Sequence, residues 1–230
     1  MIDPPEENGQ LGTMGSTAYA RLREEILGGQ VPPGKKLLIR PLADRYGMGL
    51  SPIREALNRL AAEGLLLQSD QRGFTVAPLD PQDLTDLTEA RCMVNEMALR
   101  ASIARGDTAW EEAIVLWHHR LMRTPRYIDS ARGLRNPAWE RAHRAFHSAL
   151  ISACGSRRIQ LYAEQLFDAS SRYRSIARSV SMHRRPDESE HKKIAEATLA
   201  RDVERAAALL TAHFRTTDSL VRKALVRADG

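Results

Sequence analysis

Residues 41–66 read PLADRYGMGLSPIREALNRLAAEGLL, and this stretch decides the fold of the first part of the chain. Two short helical patterns lie on either side of a turn that contains Gly47 and Gly49. The second helix is expected to begin at Ser51-Pro52, with Ser51 as N-cap and proline at the first helical position, where no hydrogen bond is lost. Two helices joined by a short turn that contains glycine are typical of a helix-turn-helix, whose second helix enters the major groove of DNA.

The segment before this stretch divides into an arm and a helix. Residues 1–16 are rich in proline, glycine and serine and show no periodicity, so we expect a disordered arm. From Thr17 onward, apolar residues at helical spacing predict a first helix, which ends at Gly28-Gly29.

Two short apolar runs follow the second helix of the motif, at residues 65–68 and 74–77. The polar turn between them has Gly73 at its tip, which predicts a two-stranded wing. Arg72 and Gly73 at this tip are candidates for contacts with the DNA backbone or the minor groove. Residues 17–78 are therefore expected to form a winged helix-turn-helix.

The pattern changes after Pro81, and residues 82–227 read as nearly continuous helix. Alanine and leucine are frequent, runs of β-branched residues are few, and short breaks divide the helical pattern. These features predict an all-α bundle of six or seven helices. We expect a mostly α protein of two domains, with the boundary near residues 78–82.

The composition of the 230-residue chain argues against several classes of protein. No apolar run reaches the roughly 18 residues of a membrane span, and the acidic N-terminus does not resemble a secretory signal. Two cysteines cannot form the disulfide framework of a secreted domain, so we expect a cytoplasmic protein without a membrane partner. The net charge of +5 is modest and does not by itself indicate binding to nucleic acid.

Residues 52–57 (PIREAL) and 63–65 (EGL) resemble the helix-turn-helix of the GntR family of bacterial transcription regulators. The resemblance implies that Arg54 contacts operator DNA near the start of the recognition helix, where a guanidinium binds phosphate or a guanine edge. The family usually carries Ser-Arg before the proline step, whereas this chain has Gly49 and Leu50. The usual second arginine is missing, so the operator sequence cannot be inferred from typical members.

Further candidates for DNA contact in the same domain are basic or polar residues, together with the glycine at the tip of the wing. They are Arg40, Arg45, Ser51, Arg59, Arg72 and Gly73. The alternative for the arginines is an ordinary solvated surface, and Arg54 could instead pair with Glu55 or Glu63.

Four histidines in the second domain suggest a metal site. His143 and His147 are four residues apart and share one face of a helix. His191 lies at the start of a later helix, and His213 lies near the middle of the last long helix. Imidazoles from three helices can form a metal site without thiolates, but the sequence alone does not show that these helices converge.

The second half of the chain resembles the FCD ligand-binding domain of FadR-type GntR regulators. The matching segments are residues 89–91 (EAR), 146–147 (FH), 190–191 (EH) and 212–213 (AH). The resemblance implies that His147, His191 and His213 bind a divalent metal, and that His143 occupies the position of the family's aspartate. A set of imidazoles favours zinc or nickel over magnesium or calcium.

The same resemblance places Arg91 in an effector pocket, where its guanidinium would bind a carboxylate beside the metal. Asn95, one turn later, is expected to reach the ligand or a water molecule. Segments such as residues 47–57 and 166–176 further resemble the carbon-starvation-induced repressors of this family that respond to glutarate. That likeness implies a dicarboxylate effector, whose second carboxylate would bind Ser171, Arg172 or Tyr173.

These expectations combine into a homodimeric, ligand-responsive repressor that binds a near-palindromic operator in double-stranded DNA. The alternatives are a metal-dependent enzyme that acts on a small carboxylate, a regulator with a purely structural metal, and an acyl-CoA sensor. An HExxH arrangement is missing from the sequence, and the histidine set does not suit an acyl-CoA pocket. We therefore expect a regulator and not an enzyme.

Overall fold

Helix α1 spans Met14–Leu27 and begins three residues before the predicted start. The Thr13 hydroxyl oxygen caps it by accepting the backbone N–H of Ser16 at 3.2 Å. This cap makes residues 14–16 helical, so the prediction of a disordered arm is wrong for these three residues. The computed structural model describes residues 13–69, 73–129, 134–180 and 187–228, so residues 1–12 of the predicted arm lie outside them.

The helix-turn-helix is formed by α2 (Ile39–Tyr46) and α3 (Leu50–Ala62). Gly47 closes α2 in the left-handed conformation, with φ of 64°, which a residue without a side chain adopts at no steric cost. Helix α3 packs its apolar face against α1, and Leu57 is fully buried in the core of this unit. This packing holds α3 so that its opposite face is solvent-exposed.

The wing is part of a three-stranded antiparallel sheet in the order β1-β3-β2. The strands are β1 (Lys36–Leu37), β2 (Leu66–Ser69) and β3 (Gly73–Val76). The sequence predicted only the last two strands. Two residues form β1 because Lys36 and Leu37 pair with Thr75 and Phe74, and Leu37 joins the core.

The described residues of the second part form six helices and one small hairpin. The helices are α4 (Pro81–Arg105), α5 (Thr108–Arg123), α6 (Pro137–Ile151), α7 (Arg157–Val180), α8 (Asp187–Leu199) and α9 (Val203–Ala228). The hairpin, which the sequence did not predict, pairs β4 (Tyr127–Asp129) with β5 (Leu134–Arg135).

Local sequence signals set the starts of three of these helices. Asp80, Asp107 and Asn136 each cap a helix with a side-chain oxygen that accepts a backbone N–H of the first turn. Proline follows two of these caps at the first helical position, where its missing N–H is not needed. The starts of α4, α5 and α6 are therefore determined locally.

The chain divides into two compact units between Pro78 and Leu79. In the second unit, α4 packs against α6, α7 and α9, and α5 packs against α6 and α8. This arrangement brings α6, α8 and α9 to one core, where Phe146, Ile194 and Phe214 are buried. Within the described residues, no helix is long and apolar enough to cross a membrane.

Candidate functional site

Helix α3 starts with two exposed residues, Leu50 and Ser51, and is not capped by a side chain. The helix begins at Leu50 with Gly49 at the N-cap, so the prediction of Ser51 as N-cap is wrong. Ser51 lies inside the first turn and is exposed. Because no side chain occupies the cap and Pro52 has no backbone N–H, the N–H groups of Leu50 and Ser51 are the ones available to an anion such as a phosphate.

Two of the arginines predicted to contact DNA are exposed and form no internal ion pair with a described residue. Arg54, in the second turn of α3, and Arg40, in the first turn of α2, are both exposed. Neither takes part in an ion pair with another described residue. An exposed guanidinium without a protein partner can bind phosphate or a base edge without first breaking an internal contact.

Two of the other three predicted arginines, Arg45 and Arg59, already contact residues of the protein itself. Arg45 forms an ion pair with Glu25 and lies over the ring of Tyr46, and the hydrogen bond to Glu25 raises the pKa of Arg45. The Arg59 guanidinium lies 4.0 Å from the centre of the Tyr19 ring. At the wing, Gly73 opens β3 with φ of 89°, and the predicted contact Arg72 lies outside the described residues.

A cluster of four histidines lies in the core of the second unit, and we call it the histidine cluster. It consists of His143 and His147 on α6, His191 on α8 and His213 on α9. Each side chain offers one nitrogen, and these nitrogens all lie within 4.8 Å of one another. The Nε2 atoms of His143 and His147 are 3.2 Å apart, close to the spacing of about 3.3 Å between neighbouring nitrogens around tetrahedral zinc.

Burial keeps the first two imidazoles of this cluster neutral. The pKa values of His143 and His147 lie well below 6.5, mainly because both rings are buried. The neighbouring imidazoles and Arg174 lower these values further. Neutral imidazole is the form that binds a metal, since its lone pair is free. The Nδ1 atom of His143 is buried and has no hydrogen-bond partner among the described residues.

Neighbouring side chains fix the orientation of two of these rings. The Nδ1 atom of His213 lies 2.7 Å from Glu190, so a neutral ring donates Nδ1–H to that carboxylate and carries its lone pair on Nε2. The ring of His143 stacks on Trp139, with 4.7 Å between the ring centres and an angle of 12°. The hydrogen bond to Glu190 and the stacking on Trp139 each restrict how one of these imidazole rings can turn, and hydrogen bonds of this kind orient metal-binding histidines.

A cavity of about 330 Å³ lies beside the histidine cluster. Its lining includes His147, the predicted effector residues Arg91 and Asn95, and a further arginine, Arg144. The volume falls within the range of pockets that hold small molecules. Apolar side chains such as Trp117 complete the wall, so the cavity combines a few polar groups with an apolar surface.

Arg91 is a buried cation without an acidic partner. Its side chain lies 4.1 Å over the ring of Phe214, and Nη1 donates to the Ser170 hydroxyl at 2.8 Å. Its Nε has no hydrogen-bond partner, and no carboxylate of the described residues forms an ion pair with it. Burial lowers the pKa of Arg91 to about 10. A buried guanidinium of this kind is suited to bind an anion that enters the cavity.

The comparisons with known proteins identify both units. Residues 15–76 match the family described as "Bacterial regulatory proteins, gntR family", and residues 86–216 match the FCD domain. The chain belongs to the GntR family. It is a DNA-binding transcriptional regulator with an FCD ligand-binding domain, and it binds operator DNA and a small-molecule effector.

Two relatives match this GntR-family chain over most of its length. BphR, an HTH-type transcriptional regulator of Paraburkholderia xenovorans, is 38% identical over 89% of the chain and 84% of its own length. The HTH-type transcriptional repressor GlaR of Escherichia coli is 35% identical over 90% of the chain and 95% of its own length. Both are regulators by name, in agreement with our expectation that this chain is not an enzyme.

Solved structures share the fold of this GntR-family chain. Escherichia coli McbR/YncC has a TM-score of 0.74 at 17% identity, covering 93% of this chain and 99% of that protein. A GntR regulator from Rhodococcus sp. RHA1 has a TM-score of 0.72 at 21% identity, covering 92% and 99%. At these identities the likeness concerns the fold alone.

The structure separates the predicted effector residues of this GntR-family chain. Arg91 and Asn95 line the cavity, whereas Ser171, Arg172 and Tyr173 are not among its lining residues. The Tyr173 hydroxyl instead donates to Asp83, in a different apolar cluster. The Ser171 hydroxyl is used inside α7, where it donates to the Phe167 carbonyl and accepts from Arg174.

Sequence reasoning missed four polar side chains near the histidine cluster. They are Arg144, Ser170, Arg174 and Glu190. Ser170 accepts hydrogen bonds from both Arg91 and Arg174, and Arg144 forms an ion pair with Asp168. The spacing of Ser170 and Arg174, one helical turn apart, and the position of Glu190 beside His191 were the available signals.

Proposed function

We propose that this GntR-family regulator is a homodimeric repressor whose FCD domain binds a divalent transition metal and a small carboxylate. Glutarate or a related dicarboxylate is the proposed effector, and its binding releases the protein from its operator. The observation that carries the proposal is the buried histidine cluster beside a cavity that contains the unpaired cation Arg91. The repressor sign is supported by the name of GlaR, which is 35% identical to this chain.

The donor set of the histidine cluster fits zinc or nickel. Four imidazole nitrogens suit a borderline metal. The buried Nδ1 of His143 makes no hydrogen bond to a described residue, so either ring nitrogen of His143 can serve as the ligand. A metal held by three of these histidines, or by all four with a fifth position, would bind a carboxylate oxygen and act on it as a Lewis acid. Glu190 holds His213 in the tautomer that the site requires.

The proposed ligand of the cavity is a dicarboxylate, because two arginines line the cavity. In the proposal, Arg91 binds the first carboxylate and Asn95 contributes its amide from the next turn of α4. Arg144 lies on the same cavity wall and is the proposed contact for the second carboxylate, in place of Arg172. Ser171 acts through Arg174, to which it is hydrogen-bonded at 2.5 Å.

In the DNA-binding unit, Arg54 and the open first turn of α3 are the proposed main operator contacts, with Arg40 in support. Arg45 and Arg59 are secondary candidates because each is already engaged within the protein. A dimer would present two such helices to a near-palindrome. The chromosome of a bacterium lies in its cytoplasm, so we place the protein there.

The effector regulates only if it binds the DNA-competent and the released states with different affinity. We therefore expect purified protein to retard DNA that carries its own promoter, and glutarate to weaken this binding. Arg91→Gln should still bind the DNA but no longer respond to glutarate. Arg100 is half-buried on the same helix as Arg91 and does not line the cavity, so it supplies the control Arg100→Gln, which should respond normally.

A thermal-shift titration with dicarboxylates separates this proposal from a purely structural metal. A ligand at 100 times its Kd stabilises the folded protein by about 2.7 kcal/mol, so glutarate should raise Tm by several degrees in the metal-loaded protein. If chelation lowers Tm but glutarate shifts Tm equally with and without metal, the metal is structural. Failure to retard promoter DNA at moderate salt would contradict the regulator role itself.

A further inference from the structure

Leu50 departs from the apolar pattern of α3, because it is 50% exposed at the first position of the helix. The other large apolar side chains of this helix are all buried, with at most 1% of each exposed: Ile53, Leu57 and Leu60. Leu50 does not belong to the apolar core of its unit. Its side chain is therefore free to contact a partner.

The surroundings of Leu50 leave its side chain accessible. The residue before Leu50 is Gly49, and Gly47 lies two residues before Gly49, so neither position carries a side chain. A Cβ built at Gly49 would meet only Pro52, at 3.8 Å, and one built at Gly47 would meet nothing within 4 Å. The two glycines therefore add no side chain to the turn before α3, and half of Leu50 stays exposed to an approaching base-pair edge.

Leu50 shares its side of the helix with Arg54. Residues four apart lie on the same face of an α-helix, and both side chains are exposed. In a helix-turn-helix, the N-terminal residues of the second helix contact base edges in the major groove. A docking geometry that brings Arg54 to the DNA therefore brings Leu50 to a base pair within the same turn.

The chemistry of leucine determines which base feature it can recognise. Its side chain has no hydrogen-bond donor or acceptor, so it cannot satisfy a phosphate, the guanine O6 and N7 or the adenine N6 and N7. The C5-methyl group of thymine is the apolar feature that the major groove offers. We propose that Leu50 contacts a thymine methyl group in each half-site and so helps to set the operator sequence of this protein.

The inference rests on DNA binding by α3 and is independent of the metal and the effector. Burying one methyl group against an apolar side chain changes the binding constant by about fourfold. Each half-site should therefore contain one thymine whose methyl group contributes about that factor. Replacing thymine with deoxyuridine removes the methyl group and leaves every hydrogen-bonding group of the base pair unchanged.

The test begins with selection of binding sites from random duplex DNA by the full-length protein. Each thymine of the selected half-site is then replaced singly by deoxyuridine, and Kd is measured by fluorescence anisotropy. For the natural protein, one substitution should weaken binding about fourfold, whereas Leu50→Ala should bind the thymine and deoxyuridine duplexes equally. Leu50→Met keeps an apolar side chain and should retain the difference.

Two controls locate the effect. Arg54→Ala should weaken binding to all duplexes but keep the difference between thymine and deoxyuridine. Leu38→Ala removes another exposed leucine and should leave that difference unchanged. The inference is overturned if no thymine shows a methyl effect, or if Leu50→Ala, with its fold confirmed by circular dichroism, retains the effect. If the protein selects no site, DNA recognition by α3 and this inference both fail.

Discussion

Replacing Arg91 with methionine should stabilise the metal-free protein while removing its response to the effector. Burial lowers the pKa of Arg91 from 12.5 to about 10. Because the folded value is the lower one, keeping this cation charged opposes folding at every pH below 10, by about 3 kcal/mol. The hydrogen bond to Ser170 and the contact with Phe214 offset about 1 kcal/mol each. Methionine should thus raise the free energy of unfolding by about 1 kcal/mol.

The assay is thermal unfolding of the natural protein and Arg91→Met, with chelator and with metal plus glutarate. A change of about 1 kcal/mol corresponds to a rise in Tm of about 2–4 °C for a chain of this size. Arg100→Met is the matched control on α4, and its Tm should not rise, since Arg100 is only half-buried and is paired with Glu204. A lower Tm for Arg91→Met together with an intact glutarate response would show that Arg91 is neither a destabilising buried cation nor the effector contact.

Three further predictions concern the histidine cluster. In His147→Ala, a chelator should no longer lower Tm, whereas in His119→Ala, a substitution at an exposed position, it should still do so. If both variants lose the effect of the chelator on Tm equally, the metal does not bind at the histidine cluster. Glu190→Gln should weaken zinc or nickel binding, measured by calorimetry, about 10- to 100-fold; unchanged affinity would remove Glu190 from the site. Because the folded pKa values of His143 and His147 lie well below 6.5, the metal-free fold binds fewer protons than the unfolded chain below that pH. Its free energy of unfolding should therefore fall by about 1 kcal/mol per histidine for each pH unit below 6.5 in urea titrations, and a flat profile would contradict neutral buried rings.

The sequence was most informative where a local pattern sets the structure. The turn at Gly47 and Gly49 and the apolar spacing of α3 specify the helix-turn-helix within a short segment. The spacing of His143 and His147 likewise places both on one face of α6. That His191 and His213 join them depends on how α8 and α9 pack, which no local pattern encodes.

The rest of the site could not be predicted because helix rotation decides it. Residues of α7 that are one or two positions apart point about 100° or 200° away from each other. Sequence alone therefore could not tell whether Arg172 or Arg174 faces the histidine cluster, and the prediction named Arg172. The structure shows that Arg174 lies near enough to lower the pKa values of His143 and His147.

The measurement that tests the account most directly is the Kd for promoter DNA as a function of glutarate, with and without bound metal. With zinc or nickel bound, saturating glutarate should raise Kd between about 5-fold and 150-fold, the usual range of allosteric coupling. After removal of the metal, glutarate should leave Kd unchanged. The same glutarate response in the metal-free protein, or no response with metal bound, would contradict the proposed link between the histidine cluster, Arg91 and DNA release.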